Sequence, residues 1–451
     1  MFSSRLPKDL SPSPFFAELE RVKTCAKKDA AEGGLSFIDM TVSSPVKAGL
    51  SVDLNAAVDE GRESFGCWNP DAAGWKSARE AVVEYYRERG GNFTAGQIIL
   101  TASTSEAYSV LFKTFCDPGD VILTPMPGYP LLDTLAQLEH LECAPYFLQL
   151  RRENARKLAT DERREGAAFR FVLDSDSLLA APEKAKILLL VSPHNPTGHC
   201  ISREEWNAAV RFCEENGMVL VVDEVFGDYA FSDKVKRTWE YVFGLCPPEP
   251  SLSQSSPSKS FSAEGRKSIH CRFNDFWDAG GGDFINLPED GPKCPIFWLN
   301  GLSKAVGSPQ LKFGWMAFYA PRERFEEIRA ALEFVEDAYL SVSAPAQALG
   351  SALLKQSAAY ESRVKERLLQ NWQTLREAFP SKYCPEVLGG WYAVVRLGED
   401  DEDLTLRLLR EKHVLVQPGF FFDFDEDGWV VISLLQEPAL FKEAVRRMAD
   451  R

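Results

Sequence analysis

The chain has 451 residues, 45% of them hydrophobic, a composition ordinary for a water-soluble protein and a length suited to two unequal lobes rather than one small core. With 51 basic and 66 acidic side chains it carries a net charge of −15, which disfavours nucleic acid and anionic membranes as partners. Ten scattered cysteines without metal spacing, and five histidines that do not cluster, predict no metal site and fit a thiol-reducing, cytoplasmic compartment.

In chain order, the start Met1-Phe2-Ser3-Ser4-Arg5-Leu6-Pro7 has no apolar segment, so no signal peptide is expected, and no later run approaches a membrane span. Within residues 51–325, apolar strand-like runs fall at 97–101, 120–124, 187–192, 218–223, 296–300 and 314–319. Helical stretches such as 202–215 separate several of these runs. The alternation predicts an α/β domain over 51–325, a mainly parallel sheet with helices on both faces. Residues 246–294 interrupt it with Pro247-Pro248-Glu249-Pro250 and a serine-rich tract, which reads as a surface insertion. Nearer the C-terminus, 389–397 and 429–434 read as strands.

Four stretches carry the chemistry. Ile98-Ile99-Leu100-Thr101 leads into Ser103-Thr104-Ser105 and then a helical pattern with Ala107, Val110, Leu111 and Phe115 on one face. A helix start rich in hydroxyls and free amides is an anion site. A second apolar run, 187–191, ends in Ser192-Pro193-His194-Asn195-Pro196-Thr197-Gly198. The β-branched run 219–222 ends in Asp223, where ligand groups sit in open α/β sheets. Finally, Phe297-Trp298-Leu299-Asn300-Gly301-Leu302-Ser303-Lys304 places a lysine just past a buried strand. Lysine is seldom buried without a partner, but an amine nucleophile gains from desolvation.

A phosphate cradle, an asparagine, an aspartate and a strand-end lysine, in that order, suggest pyridoxal phosphate (PLP). From about Phe37 to Phe441 the sequence resembles the class I/II aminotransferases, through its Asn-Pro-Thr-Gly, Asp-Glu-Val-Phe and Gly-Leu-Ser-Lys elements. The resemblance implies PLP fold type I: a large domain with a mainly parallel sheet of the seven-stranded type, a smaller α+β domain in which residues 1–50 join residues 326–451, and a homodimer with shared active sites. It implies an aminotransferase that passes an amino group from an amino acid to a 2-oxo acid. Lys304 then forms the Schiff base with PLP and moves the substrate's α-proton. Asp223 pairs with the ring nitrogen, and Asn195 donates to the ring hydroxyl and touches the substrate. Ser103, Thr104, Ser105 and Ser303 surround the phosphate, and Tyr129 stacks on the ring. Ser43, in Thr41-Val42-Ser43-Ser44-Pro45, lines the segment that closes over the substrate, and Tyr339–Pro345 matches an interface segment.

The departures from that pattern are specific. Lys312 stands where the family has a phosphate-gripping arginine, keeping the charge without the planar fork. Phe226 replaces a tyrosine that donates to the ring oxygen, so the Schiff base is expected to hold its proton to higher pH. Trp68 stands where a neighbouring subunit's tyrosine reaches the phosphate, and Gly301 replaces a serine. Val431 occupies the place of the arginine that grips the substrate carboxylate. Three arrangements fit that loss: another reader, with Arg396 on the neighbouring strand as candidate; a substrate without a free α-carboxylate; or cofactor binding with degraded transamination. Phe420-Phe421-Phe422, Trp391 and Tyr392 favour an apolar or aromatic substrate. A β-eliminating C–S lyase shares the same cofactor residues and stays open, whereas a DNA-binding regulator of this fold is disfavoured by charge.

Overall fold

The computed structural model describes residues 3–7, 10–11, 13–154, 167–244, 288, 291–340, 342–398 and 400–450. From the N-terminus, α1 (Pro14–Ala31) leads through strand β1 (Ile38–Asp39) and α2 (Leu54–Gly61) to α3 (Lys76–Arg87). Eight strands then form one sheet: β2 (Ile98–Thr101), β3 (Val121–Met126), β4 (Glu142–Asn154), β5 (Ala167–Leu173), β6 (Ala185–Val191), β7 (Val219–Asp223), β8 (Ile296–Gly301) and β9 (Gly314–Tyr319). Their spatial order is β2-β9-β8-β7-β6-β3-β4-β5. The run from β4 through β3, β6 and β7 to β8 is parallel, while β9 runs antiparallel to both β8 and β2.

Helices α4 (Thr104–Phe115), α5 (Leu131–Leu138), α6 (Arg203–Asn216), α7 (Glu240–Phe243) and α8 (Leu302–Ala305) lie between these strands in the chain. Continuous apolar strands follow from burial on both faces. In β6, Leu188 and Leu190 join one core cluster, and Ile187 and Leu189 join the other. The expected helix at 202–215 is α6, started by a reciprocal Ser202–Glu205 cap and ended at Gly217, whose φ of +64° suits glycine.

The sheet has one strand more than the seven-stranded type. The hairpin β4–β5 escaped the sequence reading because Pro145 and the polar tail Arg151-Arg152-Glu153 break its apolar pattern. That tail lies at the sheet edge, where the Arg170 fork grips Glu153 at 3.0 and 2.9 Å.

Helices α9 (Phe325–Tyr339), α10 (Ala344–Leu354) and α11 (Ser357–Ala378) follow the sheet; α9 packs on α4, and α10 packs on α2 and α3. Beyond them come β10 (Tyr392–Arg396), α12 (Asp401–Lys412), β11 (Val414–Leu415), β12 (Gln417–Pro418), β13 (Trp429–Ser433) and α13 (Pro438–Ala449). There β13 runs antiparallel between β10 and β12, α11 lies against α13, and α1 lies against α12. Strand β1 pairs in parallel with β11, so the two chain ends meet in one lobe. Most of the expected insertion at 246–294 lies outside the described residues. Where the chain re-enters the core, Tyr319 donates to Pro292 O at 2.8 Å and the Lys293 amide donates to Glu214 at 2.7 Å.

Candidate active site

Parallel strands β6, β7 and β8 end side by side, with Val191 opposite Asp223 and Asp223 opposite Leu299. Chain segments leaving that edge carry Asn195, Asp223 and Lys304, the place where open α/β sheets bind ligands. Lys304 lies in α8, immediately after β8. Its Nζ is 4.7 Å from the Trp391 ring centroid and 5.2 Å from that of Phe226. Tyr229 fixes the backbone beneath it, donating to Lys304 O at 2.6 Å. Burial pulls the amine down from 10.5 to about 8, against the opposing pull of Asp223.

The Asp223 carboxylate is held at both oxygens. Tyr108 donates its hydroxyl to Oδ2 at 2.7 Å, and the Val225 amide donates to Oδ1 at 3.0 Å. Burial raises its pKa, while Tyr108, Val225 and Lys304 oppose the rise. Tyr108 was not among the sequence candidates because it sits in a helical stretch whose other residues read as core. Its hydroxyl is the signal that was there to use, since a buried tyrosine O–H usually has a partner. Asn195, four residues past the end of β6, is buried, and its Oδ1 has no hydrogen-bond partner among the described residues.

The cradle forms at the start of α4. Ser103 caps the helix by accepting from the Glu106 amide at 3.2 Å, and the Glu106 carboxylate accepts from the Ala102 amide. The amides of Thr104 and Ser105 have no acceptor among the described residues. Gly314 of β9 abuts this turn; a Cβ there would lie 3.1 Å from the Ser103 carbonyl carbon, so only glycine lets the strand come this close.

A rim of aromatic rings closes the group. Phe226 lies 5.4 Å from Trp391 and 5.9 Å from Tyr392, and Ser43 is within hydrogen-bonding reach of the Tyr392 hydroxyl. Tyr129 is half-exposed, and its phenol feels the Asp223 charge. The turn before it is tied to the phenylalanine run, with Gly128 N donating to Phe422 O at 2.8 Å. In that run Phe421 stacks on Phe16, ring centroids 5.0 Å apart.

The family model for aminotransferase class I and II matches residues 56–268 and 273–448. The chain belongs to this family. It is therefore an enzyme that transfers amino groups. Among its relatives, the glutamate-pyruvate aminotransferase AlaA of Haemophilus influenzae is 22% identical over 93% of this chain and 91% of its own. The tyrosine aminotransferase of Mus musculus is 24% identical over 98% and 86%. Among solved structures, a double mutant of Thermus thermophilus aspartate aminotransferase superposes with a TM-score of 0.71 at 20% identity, covering 100% of this chain and 99% of that one. An alanine aminotransferase from Pyrococcus furiosus gives 0.70 at 19%, covering 97% and 98%. These likenesses show PLP fold type I.

At Gly301 a Cβ would lie 3.1 Å from both Phe313 O and Gly314 Cα, so a serine fits only if that backbone shifts. Lys312 is exposed in the turn before β9, with φ +52°. Ser303 is partly exposed beside Lys304. Trp68 is 81% exposed and makes no ring contact among the described residues. Val431 is fully buried in β13, opposite Val394 and Gln417. Arg396 is not brought to Lys304: it lies four residues beyond Tyr392 on β10, roughly 13 Å along the strand. There its guanidinium pairs with Glu426 and lies over the Trp429 ring at 5.7 Å.

Proposed function

We propose that this aminotransferase binds PLP at Lys304 and exchanges an amino group between an amino acid and a 2-oxo acid. The observation that carries the reading is the partly buried Lys304 amine, pulled down to about 8 by the loss of water, beside the Asp223 carboxylate at adjoining strand ends. Around it, the residues present fit the cofactor. Thr104 and Ser105 offer unused amides at a helix start, Asn195 offers a buried side-chain amide whose N–H would donate to the ring oxygen, and Lys312 offers positive charge for a phosphate. When bound, PLP supplies a cationic ring that draws electrons from the substrate's α-carbon. Asp223 would face the ring nitrogen, since a carboxylate that has lost part of its water is stabilised by a cation there. Lys304, able to be neutral near pH 8, would take and return a proton at Nζ. Ser303 would add a hydroxyl near the phosphate, and Tyr129 a face against the ring.

Phe226, Trp391 and Tyr392 make the substrate side aromatic, which supports an apolar or aromatic amino acid. Ser43 would contact the substrate at this rim. The engagement of Arg396 by Glu426 weighs against it as the carboxylate reader. The exposed Trp68 indole, together with Tyr339 and Leu340 at 55% and 67% exposure, supports a homodimer in which Trp68 serves the partner's site. A cytoplasmic location fits the free cysteines, and no helix among the described residues is long and apolar enough to cross a membrane. We retain the division into 1–50, 51–325 and 326–451, with α9 and α10 as connectors lying on the large lobe.

The test is turnover with PLP, a panel of amino acids and a 2-oxo acid. Amination of the 2-oxo acid supports the reading. Pyruvate and ammonia released from a cysteine-like substrate without any 2-oxo acid would instead identify a β-eliminating lyase. Lys304→Ala is expected to lower turnover at least about a hundredfold.

A further inference from the structure

Asp223 is partly buried at the end of β7, where the loss of water works against its charge and its contacts work for it. One contact, from the Val225 amide, is backbone two residues away. The other comes from across the fold. Tyr108 is 3% exposed on α4, its ring centroid 6.1 Å from that of Phe112, and its hydroxyl reaches Asp223 Oδ2 at 2.7 Å over a sequence separation of 115 residues. The titratable groups around this carboxyl are Tyr108 on α4, Lys304 on α8 and Tyr129 in the turn after β3, while Tyr146 of β4 lies beside Tyr108. Of these, the structure gives Asp223 a side-chain hydrogen bond only from Tyr108, and Lys304 is its cation.

The placement on α4 adds to this. Thr104 and Ser105, with their free amides, form the first turn of the same helix. Tyr108 is one turn further along, about 6 Å down the axis from Thr104. A single rigid helix therefore sets both the anion cradle and the direction of the carboxylate at β7.

We propose that Tyr108 is a positioning residue that keeps the Asp223 carboxylate ionised and aimed at the ring nitrogen of the cofactor. The inference rests on the reading of PLP as cofactor and adds to it a residue acting through Asp223. A hydrogen bond to the charged form of an acid favours that form. Burial already outweighs these contacts, so removing the hydroxyl raises the carboxyl further and Asp223 takes up a proton at higher pH. A protonated Asp223 gives the cationic ring nitrogen no countercharge, so cofactor affinity falls on the acid side.

The experiment is a PLP titration of the full-length apoenzyme, followed by absorbance and tryptophan quenching between pH 4.5 and 8.5, for wild type and Tyr108→Phe. The titrations of PLP itself and of Lys304 are common to both proteins and cancel in the ratio of dissociation constants. The expected ratio is about tenfold at acid pH, the size of one hydrogen bond to a charged group, falling toward one as pH rises. A ratio of one at every pH overturns the inference. So does a constant ratio above one, because lost packing weakens binding without regard to pH. Tyr108→Leu gives the same reading if the phenylalanine variant is not recovered folded. Failure of wild type to bind PLP overturns the cofactor reading and this inference with it, whereas wild-type binding with a flat ratio overturns only the role of Tyr108.

Discussion

At the scale of single residues, the amine of Lys304 is a local weakness of the empty protein. Its pKa is lowered in the fold from 10.5 to about 8, so below pH 8 folding must bury a charge that the unfolded chain keeps in water. The cost is full below pH 8 and is relieved as pH rises from 8 toward 10.5, where the folded lysine is neutral and the unfolded one still charged. Lys304→Met is therefore expected to stabilise the apoenzyme by about 1–3 kcal/mol at pH 7. The gain should shrink above pH 8, as read by thermal melts across that range. Equal melting of the two proteins at pH 7 would show that the amine is not buried at a cost. The placement of Lys304, Asp223 and Asn195 at the ends of adjoining strands was legible in the sequence because each follows an apolar run. Tyr108 and Tyr229 were not, because a hydroxyl's partner depends on which segments the sheet brings together. Arg396 was a reasonable candidate by its strand neighbours, yet strand direction places its side chain toward Glu426.

Among elements, the contact of α9 with α4 holds a second buried carboxyl. Glu336 is 3% exposed, one of its oxygens lacks a partner among the described residues, and burial reinforced by Glu106 pushes it up from 4.5 to about 8. Its folded pKa is raised, so its contribution is fully present below pH 4.5 and is lost as pH rises to 8. Glu336→Gln, a neutral mimic, is expected to leave stability at pH 5 nearly unchanged. At pH 8.5 it should raise the melting temperature by several degrees. An equal effect at the two pH values would contradict the assignment. A further element contact joins the lobes: Arg89 of the segment after α3 donates to buried Asp228 at 2.9 Å and to Glu361 of α11 at 3.1 Å, with Arg237 on the same aspartate. Breaking a buried pair leaves an uncompensated charge, so Asp228→Asn is expected to cost about 3–5 kcal/mol in a denaturant melt. Strands β6, β7, β8 and β9 were readable as unbroken apolar runs, since burial on both faces removes alternation. The hairpin β4–β5 was hidden because an edge hairpin tolerates proline and charge.

At the scale of the whole molecule, the meeting of the chain ends was foreseeable only from the resemblance. The two-residue pairing of β1 with β11 leaves no periodic trace in the sequence. If Trp68 serves a neighbouring subunit, light scattering should give twice the 50.5 kDa chain mass, and Trp68→Ala should weaken PLP binding while preserving that mass. The central claim, that Lys304 and its surroundings carry amino-group transfer, is tested most directly by the visible spectrum of the PLP-loaded protein. Amino acids are added one at a time, without any 2-oxo acid. The account predicts a long-wavelength cofactor band that is lost with apolar or aromatic amino acids and returns when a 2-oxo acid is added. A band that no amino acid disturbs would contradict it, leaving a protein that holds the cofactor without passing on an amino group.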